Sequence, residues 1–437
     1  MLIMLQFYCL ASYVSSCVSK CYDRRSEELT ANMAELLIRA SFQDGALLRR
    51  IYGFDGQPGA PARPNRIVVD AHVPVSSRGI DIAATARRAG VPLLIDPQTF
   101  YLQGVQHPDD RWARLAFGRP DIWAPTHADT FAQDELVAQV VNYQTSHGAT
   151  AIIPPYVNID RRDSEWIAVQ AGLWHRARRY LDREGITLPV IAVLAVGWRV
   201  LHPVQGPAAL APALTALSGL APQEVALAAS KVDKGVHPED RLMDLVLMVE
   251  RLRQDYSVIL WQQGHLGEIG VAAGAVGYEC GIGWREGCDL GGAANSHRRP
   301  EQSDQRPARP VFISALGRSV PKRSLEAIRE HRDIWLRMIC PDADCCPAGA
   351  QALLGDARVH AIVQRVRHLD QIARIDRAVW RWQHLADVAD AGLDLADRLN
   401  RRAQTSQAIA RVDAHALSAI SAVSHTRRLD TRSRRVA

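Results

Sequence analysis

The feature that most constrains this chain is a regular alternation of short apolar runs with helix-length segments. Arg66–Asp70 (RIVVD), Val91–Asp96 (VPLLID), Ala149–Pro154 (ATAIIP), Leu188–Val196, Val225–Ser230, Val258–Trp261, Ala275–Cys280 and Pro310–Ser314 (PVFIS) each read as a strand. Most are apolar at nearly every position, which is the mark of parallel strands covered on both faces. The clearest unit is Ser257–Gly287 (SVILWQQGHLGEIGVAAGAVGYECGIGWREG): a strand, a Gly/Ala-rich helix and a second strand. Eight such strands separated by helices predict an α/β fold, a closed (β/α)8 TIM-type barrel over residues 66–331, roughly 265 residues and near the usual size. An open doubly wound sheet is the runner-up. No Gly-rich phosphate turn follows RIVVD, which argues against dinucleotide binding.

The flanks have a different character. Residues 1–32 lack a basic n-region and a small-residue cleavage site, so they are not read as a signal peptide but as an upstream start-site extension or a disordered leader. Residues 33–65 read as an amphipathic helix (AELLIRASFQDGALLRRIY) followed by a Gly/Pro-rich linker. Residues 332–437 read as an α-helical C-terminal extension that contains a cysteine cluster and ends in a basic tail. The whole chain carries 437 residues with 47% hydrophobic and 23% charged, ordinary values for a globular protein. No apolar run is long enough to span a bilayer, so no membrane role is expected. The eight cysteines are clustered in a chain too large to need a disulfide scaffold, so a reduced, cytoplasmic location is expected.

In a barrel of this kind the residues at the C-terminal ends of strands line the active-site mouth. Here those positions are polar almost throughout: Asp70 and His72; Asp96, Gln98 and Thr99; Tyr156 and Asn158; Trp198 and Arg199; Lys231, Asp233 and Lys234; Gln262, Gln263 and His265; Glu279, Arg285 and Glu286; Arg318. Two carboxylates from different strands suffice for nucleophilic and acid/base work at an acetal-like carbon. Asp96 and Glu279 are the expected catalytic pair. Gln98, Tyr156, Gln262, Gln263, His265 and Arg285 are the expected substrate contacts. The bland readings are that Asp96, directly before Pro97, caps a turn, and that Glu279 pairs with Arg285. Asp70 and His72 form a D-x-H pair, a weaker sign of a metal at the mouth.

Cys340, Cys345, Cys346 and His360 have the ligand count of a closed Cys3His zinc site in a Pro/Gly-bearing loop (CPDADCCPAG). The adjacent pair Cys345–Cys346 is an awkward spacing, which leaves Cys280, Cys288 or His368 as alternative ligands. Buried, unliganded thiols are the competing reading. Arginines at 176, 178 and 179, at 298 and 299, and in the tail could contact phosphates, although the net charge of +5 is mild.

The order of these features resembles the tRNA-guanine transglycosylase superfamily. Leu94–Gln103 (LIDPQTFYLQ) sits where that family has D-S-G-G-F/Y-Q, with Asp96 in place of its Asp. Tyr278–Glu279–Cys280 occupies the F-D-C position, and a Cys3His cluster follows the barrel. The glycines of D-S-G-G and the family's V-Q-G-G and G-G-L segments are absent, and the nucleophile position holds Glu. The resemblance implies base exchange at an N-glycosidic bond, with Glu279 as nucleophile, Asp96 as general acid/base, a structural zinc ion, and tRNA or DNA held on the arginine-rich surfaces. A small-molecule barrel hydrolase or lyase, and a catalytically inactive barrel used for binding, are the competing readings. The inactive reading expects Asp96 and Glu279 not to converge.

Overall fold

The structure, a computed structural model, describes residues 34–56, 58–283, 285–296, 309–355 and 357–436, the side chains at 77 and 431–436 excepted. The expectations for residues 1–32 and for Arg298 and Arg299 lie outside these residues.

Eight parallel strands form one curled, TIM-barrel-like sheet: β1 (Glu35–Ala40), β2 (Arg66–Asp70), β3 (Leu93–Asp96), β4 (Asn158–Ile159), β5 (Ile191–Gly197), β6 (Glu224–Ser230), β7 (Ser257–Leu260) and β8 (Gly277–Gly281). Their order is β3-β2-β1-β8-β7-β6-β5-β4, so the first strand lies beside the last in the middle of the sheet. The curl brings together side chains from strands four places apart. Arg66 on β2 reaches Glu224 on β6 at 2.6 Å, and Trp261, just after β7, reaches Asp96 on β3 at 3.2 Å.

The strand count begins one element earlier than the sequence predicts. Glu35–Ala40, expected as the start of a helix, is β1, and only Gly45–Tyr52 is helical. Leu36, Leu37, Ile38 and Ala40 are all buried between neighbouring strands, and this tertiary burial overrides the helix-like spacing of ELLIRA. At the other end, Val311–Ile313 does not join the sheet. It forms β9 of a two-stranded antiparallel hairpin with β10 (Arg318–Val320). The sheet therefore runs from residue 35 to 281, in place of the expected 66–331. Ala149–Pro154 is irregular apart from a bridge between Ile152 and Val190, and the regular β4 begins at Asn158. Pro154 and Pro155 have no N–H to give a ladder.

Helices cover the outside of the sheet. Ser76 caps Ser77–Ala89 by accepting a hydrogen bond from Gly79 N, and Gly90 ends that helix in the left-handed region. The helix Gly267–Ala273 presses directly on β8. A Cβ on Gly267 would lie 2.2 Å from the Tyr278 ring, so this close approach requires glycine. The C-terminal helices, among them Ala357–Ala373, Ala378–Ala403 and His415–Val436, are packed onto the barrel. Ile362, Leu369, Trp382 and Val423 share the main core, while Val363, Leu395 and Leu399 join a second core around β9 and the cysteines. Among the described residues no helix is long and apolar enough to cross a membrane.

Candidate functional site

The register of the central strands decides which side chains meet. Parallel partners point the same way, and side chains alternate with a period of two. Leu37 pairs with Glu279, so Arg39, two residues on, shares the Glu279 face. Arg39 pairs with Val68, which puts Asp70 on that face, and Asp70 pairs with Asp96. One arginine and three carboxylates from β1, β2, β3 and β8 therefore face the concave side near the C-terminal ends of their strands.

Arg39 is the hub. Its Nη1 donates to Asp70 Oδ1 at 2.6 Å, its Nη2 to Asp96 Oδ2 at 2.8 Å, and its Nε to Glu279 Oε1 at 2.9 Å. Nη2 also reaches Glu279 Oε2 at 3.2 Å. The second Glu279 oxygen is held by Gln262 N at 2.9 Å, and Asp96 accepts further bonds from Tyr156 Oη at 2.9 Å and from Trp261 Nε1. The guanidinium carbon sits 5.4 Å from the Trp261 ring. Arg285 pairs with the outer oxygen of Asp70 and is the part of the network that reaches solvent, its side chain 40% exposed. Asp96 and Glu279 are 0% exposed. Such a cluster holds together only because each charge is paired. A lone buried charge would cost several kcal/mol.

The electrostatics follow from this packing. Burial works to raise the Asp70 carboxyl, but Arg285 and Arg39 outweigh it and hold the group well below the usual carboxylate range. Glu279 goes the other way: burial raises it, and Arg39 with Gln262 N only partly offsets that. Burial raises the Tyr156 phenol, and the adjacent Asp96 raises it further.

Backbone strain collects at the same end of the sheet. Gln98, Lys231, Gln262 and Arg285 have φ of 50°, 60°, 58° and 56°, the left-handed region that non-glycine residues rarely enter. They follow β3, β6, β7 and β8. Strain of this kind is held where the surrounding structure over-determines it, commonly at sites of function. Gln98 N donates to Asp96 Oδ1 at 3.0 Å, while its buried Oε1 has no hydrogen-bond partner among the described residues.

The expected site residues thus divide. Asp96, Glu279, Gln98, Tyr156, Gln262 and Arg285 gather around Arg39. Gln263 turns its side chain to Ala229 O at 2.6 Å and braces β7 on β6. His265 belongs to a neighbouring cluster, near Glu286, Arg318 and Arg365, and burial lowers its imidazole to about 4. There Arg365, itself buried, donates to Gly264 O at 2.6 Å and to Glu286 at 2.8 Å, tying the C-terminal helices to the barrel mouth. In the D-x-H pair the Asp70 oxygens are taken by Arg39 and Arg285. Arg39 and Trp261 were missing from the expected set. An arginine inside an apolar run that could be a strand is the signal that finds the first.

In the second core, Cys340, Cys345, Cys346 and His360 come together with their ligand atoms all within 4.8 Å of one another and all four residues buried. Cys345 Sγ and Cys346 Sγ are each 3.4 Å from His360 Nδ1 and 3.9 Å from each other. A tetrahedral ion with ordinary thiolate and imidazole bond lengths would set sulfur–sulfur and sulfur–nitrogen edges of about 3.8 and 3.5 Å. The cluster therefore fits a metal ion. His360 Nε2 lies 3.1 Å from Phe312 O, which directs Nδ1 at the thiols, and Gln364 Nε2 donates to Cys340 at 3.5 Å. The Cys345 thiol is lowered to about 4, first by its hydrogen bond from Cys346 and then by His360, against the effect of burial. Cys280 and Cys288 are buried elsewhere, and His368 binds Ser314 and Glu268. Among the described residues this is the one group with metal-ligand spacing.

The arginines of Trp166–Arg183 are partly committed. Arg176 and Arg179 reach Asp134 at 3.3 and 3.7 Å, and Arg178 pairs with Asp182. Comparison with protein-family models and with curated protein sequences finds no match to this chain.

Proposed function

We propose that the protein is a (β/α)8 barrel enzyme of transglycosylase type, acting on an N-glycosidic bond of a nucleic acid or nucleoside. The observation that carries this reading is the convergence of Asp96 and Glu279 on one guanidinium at the C-terminal end of the sheet. Closure of the barrel is supported by Thr150 N donating to Leu93 O at 2.9 Å and by the Ile152–Val190 bridge, which lie across the gap between β3 and β5. In the reaction, Glu279 would form a bond to the anomeric carbon as the carbon–nitrogen bond to the base breaks. Asp96, once freed from Arg39 and protonated from solvent, would give that proton to the departing base, and would take one from the entering base as its nitrogen bonds to the anomeric carbon and the bond to Glu279 breaks. The unpartnered Gln98 Oε1 and the Tyr156 ring would meet the base edge. Glu279 must be uncovered first, since Arg39 and Gln262 hold both of its oxygens.

We infer that the Cys3His cluster holds zinc in a structural role, because three thiolates and an imidazole in a closed tetrahedral set suit that ion. Bound there, it would cross-link the loop 340–346 to the helix Ala357–Ala373.

A second reading has its own support. Asp96 and Glu279 converge, against the expectation for an inactive barrel, yet the complete burial and pairing of Glu279 suits a barrel whose charge network serves stability while its surface binds partners. Binding to tRNA and to duplex DNA across a salt series tests the polynucleotide partner. Tight binding to one of them that falls steeply with salt supports it, and no binding above background at low salt overturns it.

A further inference from the structure

Away from the Arg39 network, Glu268, His368 and Ser314 meet from three separate parts of the chain. His368 Nε2 lies 2.7 Å from Ser314 Oγ, and its Nδ1 lies 3.0 Å from Glu268 Oε1. With Glu268 ionised, Nδ1 carries the proton and Nε2 is left as the acceptor of the serine hydroxyl. A hydroxyl, a base and a carboxylate that orients the base are thus connected in the sequence used for acyl transfer, an arrangement that recurs on unrelated folds.

The surroundings suit that chemistry. Ser314 is partly exposed, and the His368 and Glu268 side chains are 17% and 24% exposed, so solvent reaches the group. Burial would raise the Glu268 carboxyl, but His368 and Arg365 outweigh it and keep the group anionic at neutral pH. Beside it runs a narrow cleft of about 40 Å³, walled by Glu268, by the two residues after the serine (Ala315 and Leu316), and by Ile269, Leu385 and Ile420. Arg318 lines the same cleft and pairs with Ile313, the residue before Ser314, across the β9–β10 hairpin. Its Nη1 is buried and has no hydrogen-bond partner among the described residues. An apolar wall with one unsatisfied cationic donor matches a short acyl chain ending in a carbonyl that turns into an oxyanion.

We propose that Ser314, His368 and Glu268 form a second catalytic centre, outside the barrel mouth, that hydrolyses small uncharged acyl esters. Ser314 Oγ bonds to the acyl carbon while its proton passes to His368 Nε2. The bond from carbon to the alcohol oxygen breaks, and the alcohol leaves with that proton. Water then gives a proton to Nε2 and its oxygen to the acyl carbon, and Ser314 Oγ departs with the proton as the acid is released.

The test uses the full-length chain with p-nitrophenyl butyrate and, separately, a fluorophosphonate probe read by peptide mass. The expected result is turnover above buffer, one label per chain on the peptide that contains Ser314, and loss of turnover by about 10²- to 10⁴-fold in Ser314→Ala and Glu268→Gln. The labelling needs no variant, so it stands even where Ser314→Ala fails to fold. An unlabelled wild-type chain, a label on another residue, or a folded Ser314→Ala with unchanged turnover would overturn the proposal.

Discussion

Arg39 and Glu279, 240 positions apart in the chain, sit on adjacent central strands with the arginine's Nε 2.9 Å from one carboxylate oxygen and its Nη2 3.2 Å from the other. The same Nη2 also holds Asp96. Removing the arginine therefore leaves three buried carboxylates facing one another. Arg39→Met is expected to destabilise the fold by about 3–5 kcal/mol, the usual cost of stranding a buried charge. Urea denaturation monitored by circular dichroism reads this, and a loss under about 1 kcal/mol would mean that the network is far better solvated than its burial implies.

The acid limb of stability has a definite sign. Asp70 is held below its unfolded value of about 3.9, so its stabilising contribution is complete above that value and is lost as pH falls through the folded one. Glu279 is raised, so its charged form costs stability at neutral pH and that cost disappears as pH falls. Asp70→Asn should flatten the loss of stability below about pH 4. Glu279→Gln should cost less at neutral pH than Arg39→Met. Denaturation midpoints of the three variants between about pH 3 and 7 check both statements.

Lys231 tests the strain at the strand ends. It is exposed, has φ of 60°, and its ammonium lies 3.5 Å from the Asp289 carboxylate, an exposed pair of little worth. Lys231→Gly is expected to gain about 1 kcal/mol by relieving the left-handed backbone. Any loss of ligand binding in that variant would then report a functional lysine and not a damaged fold. Thermal melting gives the first quantity, and the tRNA and DNA salt series gives the second.

The cysteine cluster predicts retained metal. The purified chain should hold about one zinc ion per chain, and chelation should lower its melting temperature, because binding energy at such a site is folding energy. Gln364→Ala, which removes the hydrogen bond to Cys340, should weaken retention by about 10-fold. Metal analysis after dialysis against a graded chelator is the measurement.

Six of the eight strands were legible because each is an apolar run between helix-length segments; β4 was not, because the run Ala149–Pro154 ends in prolines and the ladder resumes only at Asn158. The first was not, because Glu35 and Arg39 give ELLIRA a helical look. Their partners, Arg66 for the one and three carboxylates for the other, lie elsewhere in the sequence. PVFIS made up the count in its place, since a short apolar run does not say whether its neighbour is a parallel sheet or a hairpin. Asp96 and Glu279 could be named from their positions at strand ends. Their bridge could not, since it depends on register across β1. The four members of the thiol cluster were legible, although side chains of adjacent cysteines ordinarily diverge. The turn Asp342–Cys346, with Cys346 N bonded to Asp342 O at 2.8 Å, brings both sulfurs to His360.

On the transglycosylase proposal, Glu279 becomes bonded to the sugar it attacks. Incubating the full-length protein with labelled tRNA or duplex DNA, then running a denaturing gel, tests it most directly. A covalent protein–polynucleotide band in the wild type that disappears in a folded Glu279→Gln is the predicted result. A wild type that binds the polynucleotide yet gives no band, or a band that persists in Glu279→Gln, would contradict it.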